Sequence, residues 1–391
     1  MDDAIVAVAG WGKTEELANA VAREPDPERV LVLTYTETNQ REDALRVFQK
    51  TRGAGRHAMV IGWKAFQLHD IVRPYLPLKY PDIHLRGLAN HDVDLSKRPG
   101  GSARYLTKNG DVYPSQLGKL TLDVIDSSGG AAISRLECLY DSIYIDEAQD
   151  LRGNDLCVLE RLLKSSIEVH IFLDPRQSTL STAEKDPKYK KNYPNAKIIN
   201  LYREWERKGL LHIRYENVTH RSIAPIAAFS DIIVGDELGL APTESVVEPR
   251  GWHDGIYIIA KSDINRYVQE YRATLLALQK SEKYGIRDAM NFRKSKGMTR
   301  DDVVIVTTGP IEKFLSTGAA LKPVSVCNFY VAVTRARYSV ALAVNNPRKV
   351  LAGIEKTHHL TGESSEQVQR LVVVDLPGAL PLETPAWSPA E

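Results

Sequence analysis

Short β-branched runs that alternate with stretches of helical periodicity predict an α/β protein built on parallel sheets. Two further observations sharpen this. A glycine turn and an acidic box each follow one of those runs, and the alternation breaks once before resuming as a second α/β unit. The predicted organisation is residues 1–198 with a short insertion at about 75–130, residues 199–345 without a large insertion, and a C-terminal segment 346–391.

The elements follow in order. The apolar run Ala4 to Ala9 reads as a strand, Gly10-Trp11-Gly12 as a tight turn, and Glu15 to Arg23 as a helix, because Leu17, Ala18, Val21 and Ala22 recur at helical spacing. Val30-Leu31-Val32-Leu33 is a second strand, followed by a polar stretch and a helix, and a third apolar run begins at Met59. From Pro74 to about Gly130 the pattern turns Pro- and Gly-bearing. Asn109-Gly110 between two short runs predicts a hairpin with a type I′ turn. The α/β pattern resumes with Ser142–Ile145, a leucine-rich helix from Leu151 to Leu163 and a strand at Val169–Leu173. A basic loop runs to about Lys197, and Leu211 onward opens the second unit, whose last clear strand is Ser339–Val344. Beyond it only Val368–Val374 shows periodicity, and Pro377, Pro381, Pro385 and Pro389 predict a loose tail.

Composition removes several function classes. The chain of 391 residues is 43% hydrophobic and 26% charged, enough for more than one core. Its 51 Lys+Arg against 50 Asp+Glu leave a net charge of +1, so a nucleic-acid surface must come from local clustering. Cys138, Cys157 and Cys327 are widely spaced and form no CxxC pair, which indicates neither a disulfide framework nor a zinc site. No apolar stretch approaches the ~18 residues of a membrane span, so a cytoplasmic protein without membrane partners is expected.

Two segments carry chemistry. Ala7-Val8-Ala9-Gly10-Trp11-Gly12-Lys13-Thr14 lies between a strand and a helix, where glycines let backbone N–H groups turn onto phosphates. There Ala9, Gly10 and Gly12 would line the phosphates, Lys13 would supply charge and the Thr14 hydroxyl would ligate Mg²⁺. A plain glycine turn before a helix is the other reading. Asp146-Glu147-Ala148-Gln149-Asp150 follows Ile143-Tyr144-Ile145, so the acids emerge at a strand's carboxyl end, where parallel sheets bind ligands. The first carboxylate suits Mg²⁺ and the second suits activation of water, although an acidic helix start would read alike.

These segments stand in an ordered set with Asp174-Pro175-Arg176-Gln177, Thr219-His220-Arg221-Ser222, Ser295-Lys296-Gly297-Met298 and Tyr330-Val331-Ala332-Val333-Thr334-Arg335-Ala336-Arg337. The set, spread over residues 5–345, resembles a superfamily 1 helicase of the UvrD/Rep type. The resemblance implies two RecA-like domains with ATP at their interface. It also implies that Asp146 holds the metal, Glu147 activates water, Gln177 senses the γ-phosphate, and Arg221 and Arg335, both in the second unit, act as arginine fingers. His220 stands where the family has an adenine-stacking tyrosine, and Gly297 lies in the box that contacts ribose.

Single-stranded DNA is the implied partner. Thr34-Tyr35-Thr36 with Asn39, and Gly62-Trp63-Lys64-Ala65-Phe66, resemble the family's DNA-contact segments, which makes Tyr35, Thr36, Asn39, Trp63 and Phe66 candidates. Trp63 and Phe66 at three-residue spacing fit a core equally well. Residues 176–197 hold six Lys/Arg against two acids, interleaved with Tyr189 and Tyr193, which fits a DNA-binding patch or a solvated loop. Four departures from the family pattern bear on stepping and unwinding. Only six residues precede the phosphate loop, so the adenine-reading glutamine segment is expected to be absent. Ser178-Thr179-Leu180-Ser181-Thr182 replaces an aromatic stretch. Thr299 replaces an acid after Lys296-Gly297. The interval between Ser222 and Ser295 is too short for the large second-domain insertion.

Two functions follow from this reading. One is an ATP- and Mg²⁺-dependent single-stranded DNA translocase or helicase, in a compact form similar to the GajB-like subunits of Gabija-type antiphage systems. The other is a nucleotide-sensing regulatory subunit that controls a partner nuclease, of the OLD/TOPRIM type by the same resemblance, without unwinding DNA itself. A P-loop NTPase acting on a small molecule is a third reading, for which no pocket motif speaks.

Overall fold

The first apolar run becomes an interior strand of a parallel sheet. In the computed structural model, which describes residues 2–51, 58–94, 100–180, 188–278, 289–357 and 360, this sheet contains β1 (Asp3–Ala7), β2 (Val30–Thr34), β3 (Met59–Gly62), β4 (Ser142–Ile145), β5 (Glu168–Leu173) and β6 (His212–Glu216). Their spatial order is β3-β2-β4-β5-β1-β6, every neighbour parallel. Parallel strands are covered by helices on both faces, so they read as continuous apolar runs, and all residues of β2 and β4 are buried. β5 lies between β1 and β4, so the segments after β1, β5 and β4 emerge side by side at the carboxyl edge.

A second parallel sheet has the order β11-β10-β12-β13-β9, built from β9 (Gly255–Ala260), β10 (Thr274–Ala277), β11 (Met290–Asn291), β12 (Arg300–Val306) and β13 (Ala336–Val344). The two parallel sheets are the α/β architecture the sequence predicts. Val218–Thr219 and Glu244–Ser245 form the two-stranded ladder β7–β8.

The chain divides into two compact units. The first takes Met1–Arg221, Val234–Val246 and Pro323–Val331, and the second takes Ser222–Ile233, Val247–Lys322 and the described residues from Ala332 on. The first unit therefore runs past the expected limit at residue 198. The helix Ile199–Arg207 buries Ile199, Leu201, Tyr202 and Trp205 in the first core, and β6 pairs with β1 from Asp3↔His212 to Ala7↔Glu216. β6 is an edge strand with His212, Arg214 and Tyr215 exposed, and so lacks the apolar signature of its neighbours.

Residues of the expected insertion share a small core with Leu68 and Val72, which precede it: Leu76, Tyr105, Leu106, Val112, Leu117, Leu120 and Val124. Its hairpin is present, but the turn differs from type I′. Asn109 does not take a positive φ, whereas Gly110 does (φ 85°), and Thr107 N–H donates to Asp111 O at 2.8 Å across a three-residue loop. A Cβ on Gly110 would lie 2.1 Å from His84 O, which reserves the position for glycine. The run Val368–Val374 and the proline-bearing end lie outside the described residues. Among the described residues no helix is long and apolar enough to cross a membrane.

Candidate active site

The carboxyl edge of the first sheet gathers three loops. After β1 the chain turns through Gly10 (φ 82°) and Gly12 (φ 108°) into α1 (Lys13–Arg23), whose N-cap is Gly12. Those φ values are open to glycine and strained for other residues. A Cβ at Gly10 would lie 2.4 Å from Arg221 Cβ and 2.6 Å from Thr219 Oγ1, while at Gly12 nothing comes within 4 Å. Gly10 thus lets the 219–221 segment close on the loop, and Gly12 keeps the helix start open on its outer side. The buried Lys13 Nζ donates to Ala7 O and Val8 O, both at 3.1 Å, and so curls back under the loop.

After β5, the buried Asp174 caps the turn Pro175–Gln177. Its Oδ1 accepts from Arg176 Nε at 2.9 Å, and its Oδ2 accepts from Gln177 Nε2 at 2.9 Å and Tyr330 Oη at 3.2 Å. After β4, Asp146 N–H donates to Leu33 O at 2.9 Å, and Asp146 Oδ1 accepts from Glu147 N–H at 2.9 Å. Glu147 holds φ 54°, a left-handed conformation uncommon for a side-chain-bearing residue. Gln149 ties the two loops together: its Nε2 donates to Glu147 Oε2, and its Oε1 accepts Asp174 N–H at 3.0 Å.

The charges at this edge are unevenly compensated. Burial lowers the Lys13 pKa, against the pull of Asp174, Glu147 and Asp146. Burial works to raise Asp174, but Arg176, Lys13 and the Gln177 amide outweigh it and hold the carboxyl below the usual range. Asp43, on α2 (Glu37–Lys50), is the contrary case. Burial, then Asp146 and Glu147, push it up to about 9.

The glycine cradle, the helix start and a buried ammonium fit a phosphate chain. Thr14 in the first turn of α1 and Asp146 at the end of β4 offer the hard oxygen donors that Mg²⁺ takes. The 219–221 segment packs on the same loop: Thr219 Oγ1 donates to Ala9 O at 2.8 Å, and His220 N–H donates to Gly10 O at 2.9 Å. His220 leaves its ring exposed. Arg221 belongs to this first unit and not, as the sequence suggested, to the second. Burial lowers its pKa, and Tyr330, Glu147, Glu42 and Asp174 pull the other way. Arg221 stays with the first unit because β6 pairs with β1, and Thr219 and His220, directly before it, then bind the loop.

Arg335 and Gly297 meet in the second unit. Arg335 Nη1 donates to Ser295 O at 3.5 Å and Met298 O at 3.4 Å, and Nη2 to Thr334 Oγ1 at 3.1 Å, around the turn in which Gly297 takes φ 84°.

The DNA candidates divide. Tyr35 is half-buried with Lys64 Nζ 5.9 Å from its ring centroid, and Asn39 is half-buried. Thr36 caps α2 by accepting Asn39 N–H at 3.2 Å. Trp63 and Phe66, by contrast, are 1% and 0% exposed and sit in the main core of the first unit, with ring centroids 5.8 Å apart. They offer no face to a base, which corrects their assignment as DNA contacts. Trp63→Ala and Phe66→Ala are therefore expected to cost about 3–5 kcal/mol each in chemical denaturation. A loss of DNA affinity in either variant at unchanged stability would contradict the core assignment. In the basic loop, Lys188, Lys190 and Lys191 are exposed, whereas Tyr189 and Tyr193 pack against the core, and residues 181–187 lie outside the described residues.

Besides Asp174 and Gln149, three contributors have no role that the sequence assigns. Tyr330 Oη donates to Asp174 and accepts Ala9 N–H at 3.3 Å, so one hydroxyl links two loops. Arg152 Nη1 donates to Gln149 O at 2.6 Å and Leu151 O at 2.7 Å, and Nη2 donates to Ser178 Oγ, joining the acidic box to the segment after Gln177. Asp43 is the third. Only Tyr330 carried a signal, its place at the head of the box YVAVTRAR.

No protein-family model matches the chain, and no curated protein matches it. Among solved structures it is similar to an arterivirus protein titled as a complex of nonstructural protein 10 (helicase) with DNA, at 13% identity and a TM-score of 0.43. That match covers 88% of this chain and 61% of the other, so the chain spans about three fifths of the length of the protein it matches.

Proposed function

We propose that the protein is a P-loop ATPase acting on single-stranded DNA, a compact translocase of the UvrD/Rep type. The observation that carries this reading is the meeting of Gly10, Gly12 and Lys13 with Asp146, Glu147 and Asp174–Gln177 at one sheet edge, joined by Gln149 and Tyr330. In it, Ala9, Gly10, Gly12 and Lys13 hold the phosphates of ATP, and Thr14 and Asp146 hold Mg²⁺. The metal, when bound, neutralises charge on the β- and γ-phosphates. Glu147 orients and deprotonates the attacking water, Gln177 faces the γ-phosphate, Arg221 adds positive charge from the first unit, and Arg335 is the finger of the second. His220 and Gly297 flank the base and ribose. Tyr35 and Thr36 after β2 and Asn39 in the first turn of α2, with the exposed lysines after residue 187, carry the DNA strand.

The finer reading is a subunit of the GajB-like kind in an antiphage complex, with a nuclease as partner. The non-aromatic run from Ser178 and the short interval before Ser295 favour weak unwinding by the chain alone. Phosphate release measured with and without single-stranded DNA, beside a strand-displacement assay, tests both levels. Stimulation by DNA with poor displacement is expected. An ATPase indifferent to DNA would remove the DNA track, and efficient displacement by the lone chain would remove the regulatory reading.

A further inference from the structure

Helix α2 buries Asp43 and Val47, one turn apart, as its inward stripe. Helical periodicity asks for an apolar side chain at Asp43, and the residue there is a carboxylic acid that is 1% exposed. Its Oδ2 has no hydrogen-bond partner. A buried polar atom in that state costs stability and calls for an explanation. Arg46, on the same helix, offsets it only in part, because its guanidinium is turned to Glu42 at 2.9 Å and Glu15 at 3.3 Å. The charges that act on Asp43 most strongly are those of Asp146 and Glu147, followed by Glu42.

A second atom shares this state. Thr34 ends β2 beside β4, and the residue before it, Leu33, accepts the Asp146 N–H. Thr34 is 1% exposed, and its Oγ1 also has no partner. Two buried, unpartnered oxygens thus border the same acids: Thr34 Oγ1 at the end of β2, and Asp43 Oδ2 on α2, on which Asp146 and Glu147 act. Asp43 adds a third acid to Asp146 and Glu147, on which the buried Lys13 also acts; such a group favours a hard cation near it, and Mg²⁺ keeps several of its waters when it binds. Those waters need acceptors. Among the described residues no three His, Cys, Asp or Glu side chains converge closely enough to hold a metal by themselves, so Asp43 is suited to contact through water.

We propose that Asp43, assisted by Thr34, is a positioning residue of the Mg²⁺ site, accepting hydrogen bonds from metal-bound water behind Asp146 and Glu147. This rests on the phosphate-site reading above. It makes α2, the helix that follows the Tyr35–Thr36 segment, part of the metal's surroundings.

The test uses Mn²⁺ in place of Mg²⁺, titrated by electron paramagnetic resonance with a non-hydrolysable ATP analogue, on the parent, Asp43→Asn, Asp43→Leu and Thr34→Val. Loss of an outer partner typically weakens metal binding about 10–100-fold, and that loss is expected for both Asp43 variants, with a smaller one for Thr34→Val. The melting temperature of the metal-free protein should rise in Asp43→Leu, because an unpaired buried acid is gone. Unchanged Mn²⁺ affinity in both Asp43 variants overturns the proposal. A lower metal-free melting temperature in Asp43→Leu overturns it as well, since the acid would then be a structural partner. If the parent itself binds no Mn²⁺–nucleotide and Lys13→Ala behaves identically, the phosphate-site reading fails, and this inference with it.

Discussion

Glu147→Gln is expected to lower ATP turnover by about 10²–10⁴-fold while nucleotide still binds, and Lys13→Ala to lose both. The difference follows from where each side chain is held. Lys13 is buried beneath the loop with its ammonium on Ala7 O and Val8 O, so it can exchange those carbonyls for phosphate oxygens without crossing solvent. Glu147 stands at the strand end in a left-handed conformation, and its carboxylate is fixed by the Gln149 amide, itself anchored on Asp174 N–H. That geometry suits a base that meets water and not a phosphate ligand. Glutamine keeps the shape and loses the basicity, so binding survives and chemistry does not. Phosphate release and the affinity of a fluorescent ATP analogue separate the two variants. Parent-like turnover in Glu147→Gln would assign the base to another residue, and parent-like binding in Lys13→Ala would remove the loop as the phosphate site.

The interior strands and the loops that follow them are legible in the sequence for one reason: each is local. β2 and β4 are uninterrupted apolar runs because parallel strands are buried on both faces, and the glycine turn and acidic box directly follow such runs. What was misread depends on pairing over long separations. β6 joins β1 across some two hundred residues and carries polar side chains at a sheet edge, so nothing local announces it. Arg221 was misplaced with it, since its membership follows from Thr219 and His220 binding Ala9 and Gly10. Trp63 and Phe66 show a different limit. An aromatic pair at three-residue spacing has the same pattern in a core as on a binding face, and only burial decides. Asp43 was illegible for the opposite reason, because an acid in an amphipathic helix reads as solvent-facing until its register against Val47 is seen.

Arg335→Ala is expected to reduce turnover about 10³-fold or more, with a much smaller change in ATP affinity. A finger acts on charge that develops in the transition state, so its removal is felt in kcat before it is felt in binding. Two features of the side chain bear on this. Arg335 is 1% exposed, yet its contacts to Ser295 O and Met298 O are long, at 3.5 and 3.4 Å, well beyond the 2.7–2.9 Å or so of a strong charge-assisted bond. The guanidinium is therefore confined, and its two carbonyl contacts are long. Arg335→Lys should rescue little, because a point charge lacks the planar fork that serves two acceptors. Arg337→Ala is the control. Arg337 lies two residues on, faces Asp301 at 3.9 Å and the Tyr338 ring, and should leave kcat within a few-fold of the parent. Because Arg335 also braces the Ser295–Met298 turn around Gly297, melting temperatures must accompany the kinetics. Loss of turnover at a preserved melting temperature supports the finger. Loss that merely follows the melting temperature, or parent-like turnover, would reduce Arg335 to a brace for that turn.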